Sequence, residues 1–245
     1  MTTIPPMFCF VIPCFNEENN VEATVGSVRK AMGARNDYEI ILVNDASTDH
    51  TLERMRALAV NDPRIHVLDN PTNLGFGGSY KRGASVATAT YVMMLPGDDG
   101  FSGDSIAEIV GHAGEADLII PIVTNRGARH WFRAFASKGF TTLLNWMFWL
   151  NVGYYNGAVL QRNELLRTIE ITTNSFAYQA EALVKLIARG ATYKHCYVSI
   201  QERAAGRSSA LSLKNQIAVW RTILHLLAVV GLFCRLPLVP ARSAR

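Results

Sequence analysis

Two adjacent carboxylates, Asp98 and Asp99, follow an uncharged apolar run at residues 91–95 that ends at a Pro-Gly turn. Such a run predicts a strand that is buried on both faces. Ligands of open α/β sheets bind at the carboxyl ends of the strands. Oxygen ligands on a short loop there suit a hard cation, Mg²⁺ or Mn²⁺, which would neutralise a diphosphate. The alternative is a polar turn in which one carboxylate caps a helix that begins near Ser102.

A glycine-rich loop at residues 73–78 (NLGFGG) precedes a predicted helix of small residues at positions 79–88. It is not a Walker loop, because no Gly-Lys-Ser/Thr follows, and a dinucleotide fingerprint would stand after the first strand. That position holds residues 13–17 (PCFNE), which contain no glycine. The loop is therefore either a phosphate-binding segment or a flexible turn, and a Rossmann-type dinucleotide site is not expected.

Five short segments rich in apolar residues predict strands at residues 8–12, 38–43, 64–68, 91–95 and 117–122. Apolar residues at helical spacing lie between successive runs. Strands about 25–30 residues apart with a helix between them have the length of βαβ units. The sequence therefore predicts an α/β fold with a doubly wound, mostly parallel sheet.

Later segments continue this alternation less regularly. We expect residues 155–160 to return to the sheet, residues 176–189 to form a helix and residues 193–200 to form a late strand. Near the start of the chain, Ser47 or Thr48 is the expected N-cap of the second helix.

Three arginines, Arg126, Arg129 and Arg133, lie close together, and Ser137 follows them. A long apolar and aromatic stretch then occupies residues 140–155. This stretch predicts a core helix, but arginines beside an apolar helix also suit a ligand with an anionic head and an apolar tail.

The C-terminal stretch at residues 217–234 is mostly apolar, but it contains Arg221 and His225. Its uninterrupted part is shorter than the roughly 20 helical residues that span a bilayer. Apolar bulk with basic flanks is typical of a helix in the membrane interface, on the anionic cytoplasmic leaflet. A packed core helix and a dimer interface are the alternatives. We accordingly divide the chain into a main domain at residues 1–211 and an apolar, basic tail at residues 212–245.

The composition excludes several classes of protein. Hydrophobic residues make up 49% and charged residues 18% of the 245-residue chain, as in a globular protein. The net charge of +4 is small and scattered, so no nucleic-acid partner is expected. The four cysteines lack paired spacing, which predicts reduced thiols and a cytosolic setting. The N-terminal segment MTTIPPMF lacks a basic region followed by an apolar core, so we expect no signal peptide.

Several ordered motifs resemble those of family 2 glycosyltransferases with the GT-A fold, specifically the branch that acts on polyprenyl phosphates. The resemblance extends over about residues 8–211. The motifs are I-P-x-x-N-E at residues 12–17, N-D-x-S-x-D at residues 44–49, N-x-G at residues 73–75, FAYQAE at residues 176–181 and R-x-x-G-x-S at residues 203–208. The sequence departs from the family's D-x-D, because Pro96 takes the place of the first carboxylate and Asp99 is added after Asp98.

The resemblance implies a role for each matching residue. Asp98 and Asp99 are the implied metal-binding and catalytic carboxylates, and Arg203 would stabilise the leaving diphosphate. Arg126, Arg133 and Ser137 match no quoted motif and are assigned to acceptor binding, because a lipid phosphate would need cationic positioning. The implied donor-binding residues are Pro13, Phe15, Asn16, Glu17, Asp45, Ser47, Gly75 and Lys81.

The implied activity is inverting transfer of a sugar from a GDP- or UDP-sugar to a polyprenyl phosphate. We expect Mg²⁺ or Mn²⁺ as cofactor, the cytoplasmic membrane face as location, and a possible homo-oligomer. A lipid phosphate is already an anion, so it needs cationic positioning, whereas a hydroxyl acceptor would need a carboxylate base. The alternatives are transfer to a saccharide or other hydroxyl, a non-catalytic sugar-nucleotide-binding relative, and a nucleotidyltransferase. The last would carry a glycine-rich loop after the first strand.

Overall fold

A computed structural model describes residues 5–125, 131–200 and 213–233. Within these ranges the chain forms one seven-stranded sheet with eight helices. The strands are β1 (Phe8–Cys14), β2 (Tyr38–Asn44), β3 (Ile65–Asp69), β4 (Tyr91–Met94), β5 (Leu118–Val123), β6 (Leu160–Arg162) and β7 (Tyr193–Val198). The helices are α1 (Val21–Met32), α2 (Thr51–Val60), α3 (Phe76–Val86), α4 (Gly103–Gly111), α5 (Trp131–Phe148), α6 (Asn163–Leu166), α7 (Tyr178–Ala188) and α8 (Leu213–Phe233).

The strand order is β3-β2-β1-β4-β6-β5-β7, and every pairing is parallel except those of β6. The predicted mostly parallel, doubly wound sheet is therefore confirmed. The predicted return at residues 155–160 is reduced to the three residues of β6, which run antiparallel between β4 and β5.

Hydrophobic side chains cover both faces of the sheet. In β1, Cys9 and Val11 belong to the cluster that includes α3, α5, α7 and α8, while Phe10 and Ile12 belong to the cluster with α1, α2 and α4. Successive residues of a strand point to opposite faces, so an unbroken apolar strand serves two cores.

Two helix boundaries differ from the prediction. Helix α3 begins at Phe76 rather than at residue 79, so two glycines lie inside its first turn. The predicted caps Ser47 and Thr48 do not begin α2, which starts at Thr51 after His50. Asp49 supplies the oxygen for that end, because its Oδ1 accepts a hydrogen bond from the Thr51 backbone N–H at 3.0 Å.

The two long helices of the second half pack on the same face. Helix α8 contacts α7 and α5, and its Ile223, Leu226 and Val230 are buried in the cluster that also holds Leu144 and Phe148 of α5. No helix in the described ranges is long and apolar enough to cross a membrane. The predicted boundary between residues 211 and 212 lies outside the described ranges and stays a prediction.

The close contact between α3 and the sheet gives a stability prediction. A Cβ atom at Gly83 would lie 2.4 Å from Val11 Cγ1, whereas a Cβ at Gly26 in α1 would meet nothing within 4 Å. Gly83→Ala should lower the free energy of unfolding by about 1–3 kcal/mol through overpacking. Gly26→Ala is the matched control and should raise it by about 0.5–1 kcal/mol. Urea unfolding measures both, and equal stability of the two variants would contradict this packing.

Candidate active site

The carboxyl ends of β1, β2 and β4 lie side by side at one edge of the sheet. Cys14 pairs with Asn44, and the Leu95 backbone N–H donates to Val11 O at 3.0 Å. The loops that follow these three strands therefore meet at this edge. They carry most of the predicted donor-binding and metal-binding residues.

The loops after β1 and β2 are joined by reciprocal hydrogen bonds. The Asn16 backbone N–H donates to Ser47 Oγ at 3.0 Å, and the Thr48 backbone N–H donates to Asn16 Oδ1 at 2.8 Å. The Glu17 backbone N–H donates to Thr51 Oγ1 at 2.8 Å. Asn16 has a φ of 58°, a left-handed conformation that asparagine tolerates better than most residues. We call residues 15–18 with residues 46–51 the clasp; it explains why Ser47 and Thr48 do not cap a helix.

The remaining donor-binding candidates of the first loop differ in exposure. Pro13 is buried in β1, and Glu17 is half-buried and accepts a hydrogen bond from Asn20 Nδ2 at 2.7 Å. Phe15 is 48% exposed beside the clasp. An exposed ring held by a hydrogen-bonded loop can stack on a planar base, a contact worth about 1–3 kcal/mol in nucleic-acid-binding proteins.

Asp45 uses both oxygens of its carboxylate inside the protein. It is buried, and its Oδ1 accepts hydrogen bonds from Leu74 N–H and Asn70 Nδ2, each at 2.8 Å. Its Oδ2 accepts from Gly75 N–H at 3.0 Å. The sequence assigned Asp45 a direct contact with the donor. That contact stays a prediction, and in this structure the carboxylate holds the glycine-rich loop against the clasp.

Asn70 and Glu181 are positioning residues that were not among the site residues predicted from the sequence. Asn70 links Asp45 to Ser79 Oγ, which its Nδ2 reaches at 2.8 Å. Its place directly after β3, at the active edge, was the available signal. Glu181 lies in α7, and its signal was the FAYQAE motif.

Glu181 is fully buried and holds the segment before α7. Its carboxylate accepts from the backbone N–H groups of Thr172 and Thr173 at 2.9 and 3.0 Å and from Lys185 Nζ at 2.6 Å. Burial alone would raise the pKa of Glu181, but these donors outweigh it and hold the pKa below its usual value. The carboxylate therefore stays ionised and fixes residues 172–175.

The segment fixed by Glu181 packs directly on the glycine-rich loop. Asn174 O accepts from the Gly77 N–H at 2.9 Å, and a Cβ at Gly77 would lie 2.7 Å from Ser175 O. Gly75 has a φ of 78°, which favours glycine. The glycines of this loop are therefore required by close backbone approach and by conformation.

Lys81 also belongs to this contact. Its Nζ donates to Ile171 O at 3.0 Å, and burial lowers the pKa of the amine. Lys81 thus contacts the residues just before the segment that Glu181 holds, and its donor contact stays a prediction.

The two carboxylates after β4 have different surroundings. Asp98 is buried, and its Oδ1 accepts from Gly100 N–H at 3.2 Å. Asp99 turns towards α1, where its Oδ1 accepts from Ser27 Oγ at 2.8 Å and its N–H donates to Thr24 Oγ1 at 3.0 Å. Neither caps α4, because Ser102 does so by accepting from the Ser105 N–H at 3.2 Å. Asp99 therefore anchors the loop that carries Asp98.

Negatively charged side chains surround the end of β1, close to Asp98. Burial raises the pKa of the Cys14 thiol well above its usual value, and the charges of Glu17, Asp98 and Asp49 raise it further. A Cβ at Gly97 would lie 2.5 Å from Cys14 Sγ, so the loop lies directly on this neutral thiol. Carboxylates that converge on one strand end favour a cation there.

The donor set at this edge fits a cation that also takes ligand oxygens. Among the described residues no group of three or more acidic, histidine or cysteine side chains forms a complete metal cage. Mg²⁺ is commonly held by one or two carboxylates together with substrate phosphates and water. Asp98 matches that pattern.

The predicted acceptor-binding residues are only partly covered by the structure. Arg126 and Arg203 lie outside the described residues. Arg133 lies in α5, and Ser137 follows it by about one helical turn in the same helix, where it is half-buried. Their assignment stays a prediction.

The fold and the site define an α/β domain of the GT-A type, with polar loops gathered at the carboxyl ends of its parallel strands. The sequence model for "Glycosyl transferase family 2" matches residues 9–170. The chain therefore belongs to glycosyl transferase family 2, as its motifs predicted.

Several relatives are glycosyltransferases by name. A PGL/p-HBAD biosynthesis glycosyltransferase of Mycobacterium bovis (BCG) is 31% identical over 136 residues, which are 53% of this chain and 52% of the relative. A dolichyl-phosphate beta-glucosyltransferase of Trichomonas vaginalis is 28% identical over 106 residues, 41% of this chain and 32% of that protein. The chain spans about half the length, or less, of these curated relatives.

Solved structures share the fold over nearly the whole chain. Glucosyl-3-phosphoglycerate synthase of Mycobacterium tuberculosis, in complex with Mn²⁺, UDP and glucosyl-3-phosphoglycerate, superposes with a TM-score of 0.70 at 17% identity. The match covers 92% of this chain and 80% of that one. S. aureus TarS 1-349 with UDP gives 0.61 at 20% identity, covering 90% and 65%.

The contacts of Asp45 predict a large effect of its removal. Asp45→Ala takes away a charged acceptor of hydrogen bonds from Asn70, Leu74 and Gly75, each worth about 1.5–3 kcal/mol. We expect a clear loss of unfolding free energy and faster amide hydrogen exchange at residues 73–75. Asp104→Ala is the control, because its exposed pair with Lys30 should contribute at most about 1 kcal/mol. Unchanged exchange in Asp45→Ala would contradict the positioning role.

Proposed function

We propose that this protein is an inverting glycosyltransferase that moves a sugar from a nucleotide diphosphate sugar to a polyprenyl phosphate at the cytoplasmic face of the membrane. The observation that carries the proposal is the position of Asp98. It is a buried carboxylate at the end of β4, on the edge where the clasp and the glycine-rich loop also lie. The exposed ring of Phe15, which could stack on a base, and the carboxylate of Asp98, which could bind a cation, both lie on loops at that edge.

The donor in this proposal is UDP-linked rather than GDP-linked. Support comes from the similar structures, which were solved with UDP. In this protein Phe15 would stack on the uracil, while the backbone of the clasp borders the nucleoside. Asn16 and Ser47 would act through the loop geometry that they fix. Asp45 and Lys81 would position the glycine-rich loop beside the donor.

A cation bound through Asp98 would neutralise the charge that develops on the leaving diphosphate. Asp98 would contribute one carboxylate oxygen, and Asp99 would keep the loop in place through Ser27 and Thr24. Arg203 is assigned to the same leaving group, where a guanidinium can bind phosphate oxygens bidentately. The solved relative with Mn²⁺ supports this cation.

The acceptor phosphate needs no general base. One of its oxygens forms a bond to the anomeric carbon as the bond from that carbon to the donor diphosphate breaks. The electron pair of the broken bond leaves with the nucleoside diphosphate, and no proton is transferred. Arg126 and Arg133, beside Ser137, would bind the acceptor phosphate. The name of the Trichomonas vaginalis relative supports a lipid phosphate.

A hydroxyl acceptor is the second candidate. Glucosyl-3-phosphoglycerate synthase was solved in complex with glucosyl-3-phosphoglycerate, a sugar compound whose name includes no lipid. Such an acceptor would require a carboxylate base near the sugar. The two candidates therefore differ in one measurable respect, which is whether the phosphate itself attacks.

The first test concerns the cation. Asp98→Asn should abolish transfer of sugar from a panel of radiolabelled sugar nucleotides to membranes, measured after extraction into organic solvent. Asp99→Asn should impair transfer, because it loosens the loop. Asp104→Asn, a change of an exposed carboxylate in α4, is the control and should leave transfer intact. Full activity of Asp98→Asn in the presence of a chelator would contradict the proposed site.

The second test separates the two acceptors. Turnover with a short prenyl phosphate should fall steeply when the corresponding prenyl alcohol replaces it. Arg133→Ala should raise the KM for the acceptor more than that for the donor, through loss of contacts worth about 1.5–3 kcal/mol. Arg54→Ala removes an exposed ion pair with Glu22 and is the control. Equal turnover of phosphate and alcohol would favour the hydroxyl candidate.

A further inference from the structure

The four tryptophans of the chain lie in or directly after α5 and in α8, and none lies in the sheet. The side chains of Trp146, Trp149 and Trp220 are 77%, 87% and 58% exposed. Tryptophan is highly buried on average, because its large ring system is mostly apolar. Three exposed indoles in or directly after two contacting helices are typical of a surface that binds a partner accepting an apolar ring with a polar N–H.

Helix α8 carries apolar side chains on its inner and on its outer face. Its inner face is buried against α7 and α5, as described above. Its outer face carries Trp220, Leu224 and Leu227, which follow one another at helical spacing and are 58%, 64% and 39% exposed. The outer face is thus a second apolar stripe that the described chain leaves uncovered.

The charges of both helices have one sign. Neither α5 nor α8 contains an Asp or Glu, although the chain has 20 acidic residues. The cationic residues are Arg133 and Lys138 in α5, and Lys214 and Arg221 in α8. Two copies of such a surface would bring like charges together, whereas an anionic lipid surface would attract them.

A cavity of about 480 Å³ lies on the same side of α5 as Trp146. Lys138, Gly139, Thr142, Leu143 and Trp146 line it. The walls of this cavity are mainly apolar, and among the described residues Lys138 is the one cationic side chain that lines it. That combination suits the anionic head and the first methylenes of a lipid.

We propose that α5 and α8 form a docking face for the surface of an anionic bilayer, with Trp146, Trp149, Trp220 and Leu224 as the inserted side chains. Tryptophan is enriched at membrane interfaces, and amphipathic helices with basic residues bind anionic lipid there. This docking rests on the membrane location in the proposed function, but it needs neither the acceptor nor the donor. It can therefore succeed or fail separately from the proposed sugar transfer.

The test uses the full chain and vesicles of phosphatidylcholine with or without phosphatidylglycerol. Intrinsic fluorescence reports directly on the docking face, because every tryptophan of the chain lies in or beside its two helices. Binding to the anionic vesicles should shift the emission to shorter wavelength, and lipids brominated on their acyl chains should quench it. Raising the salt concentration should weaken binding, since it screens the lipid charge.

Trp220→Ser combined with Leu224→Ser should reduce partitioning into anionic vesicles by about tenfold or more, because two inserted side chains are lost. Val60→Ser is the control, because it removes an exposed apolar side chain from α2, which packs on the opposite face of the sheet from α5 and α8. This variant should bind as the unaltered chain does. Turnover of a soluble, short prenyl phosphate should be the same in both variants. Quenching of the unaltered chain tests docking even if the double variant fails to fold.

Three results would overturn the proposal. The first is absence of a blue shift and of quenching with anionic vesicles. The second is unchanged partitioning of a folded double variant. The third is a concentration-dependent dimer that the double substitution abolishes while vesicle binding is absent, because the face would then be an interface between two copies of this chain.

Discussion

The buried carboxylate of Asp45 is the interaction on which the active edge depends. A charge removed from water is costly unless hydrogen bonds replace its hydration. Asp45 receives them from the backbone of Leu74 and Gly75 and from Asn70, so the glycine-rich loop has to lie against the end of β2. Glu181 fixes the facing segment in the same way through Thr172 and Thr173. The loop geometry is therefore set by two buried carboxylates.

The sequence predicted the architecture well because its apolar runs and helical periodicity are local signals. The five strands of the first half and the doubly wound sheet needed no knowledge of distant contacts. Strand β6 is only three residues long, and its pairing with β4 and β5 depends on residues far away in the chain. No local pattern distinguishes so short a strand from a loop.

The candidate site was predicted in its location and less completely in its roles. Asp98 lies at the expected edge, and the motifs of the clasp were recognised. Asp45 and Lys81 also have hydrogen-bond partners within the protein that the motifs did not indicate, because a residue type shows what a side chain can bind and not which groups lie beside it. Ser47 is a similar case, since a hydroxyl near a helix start can also accept from another loop. The glycines after β3 are explained by Asn174 and Ser175, about one hundred residues later in the sequence.

The position of β6 has a consequence for how this protein is assembled. Strands β1 to β4 are adjacent in space in the order β3-β2-β1-β4, so residues 8–94 can complete that half of the sheet from consecutive βαβ units. Strand β5 is not paired with β4, because β6 lies between them and is made some forty residues after β5. During synthesis the first four strands can therefore pair on the ribosome before β6 and the second half of the sheet are made. Until then one face of the first half stays uncovered, because Tyr80 of α3 packs on Tyr178 of α7, with ring centroids 4.6 Å apart.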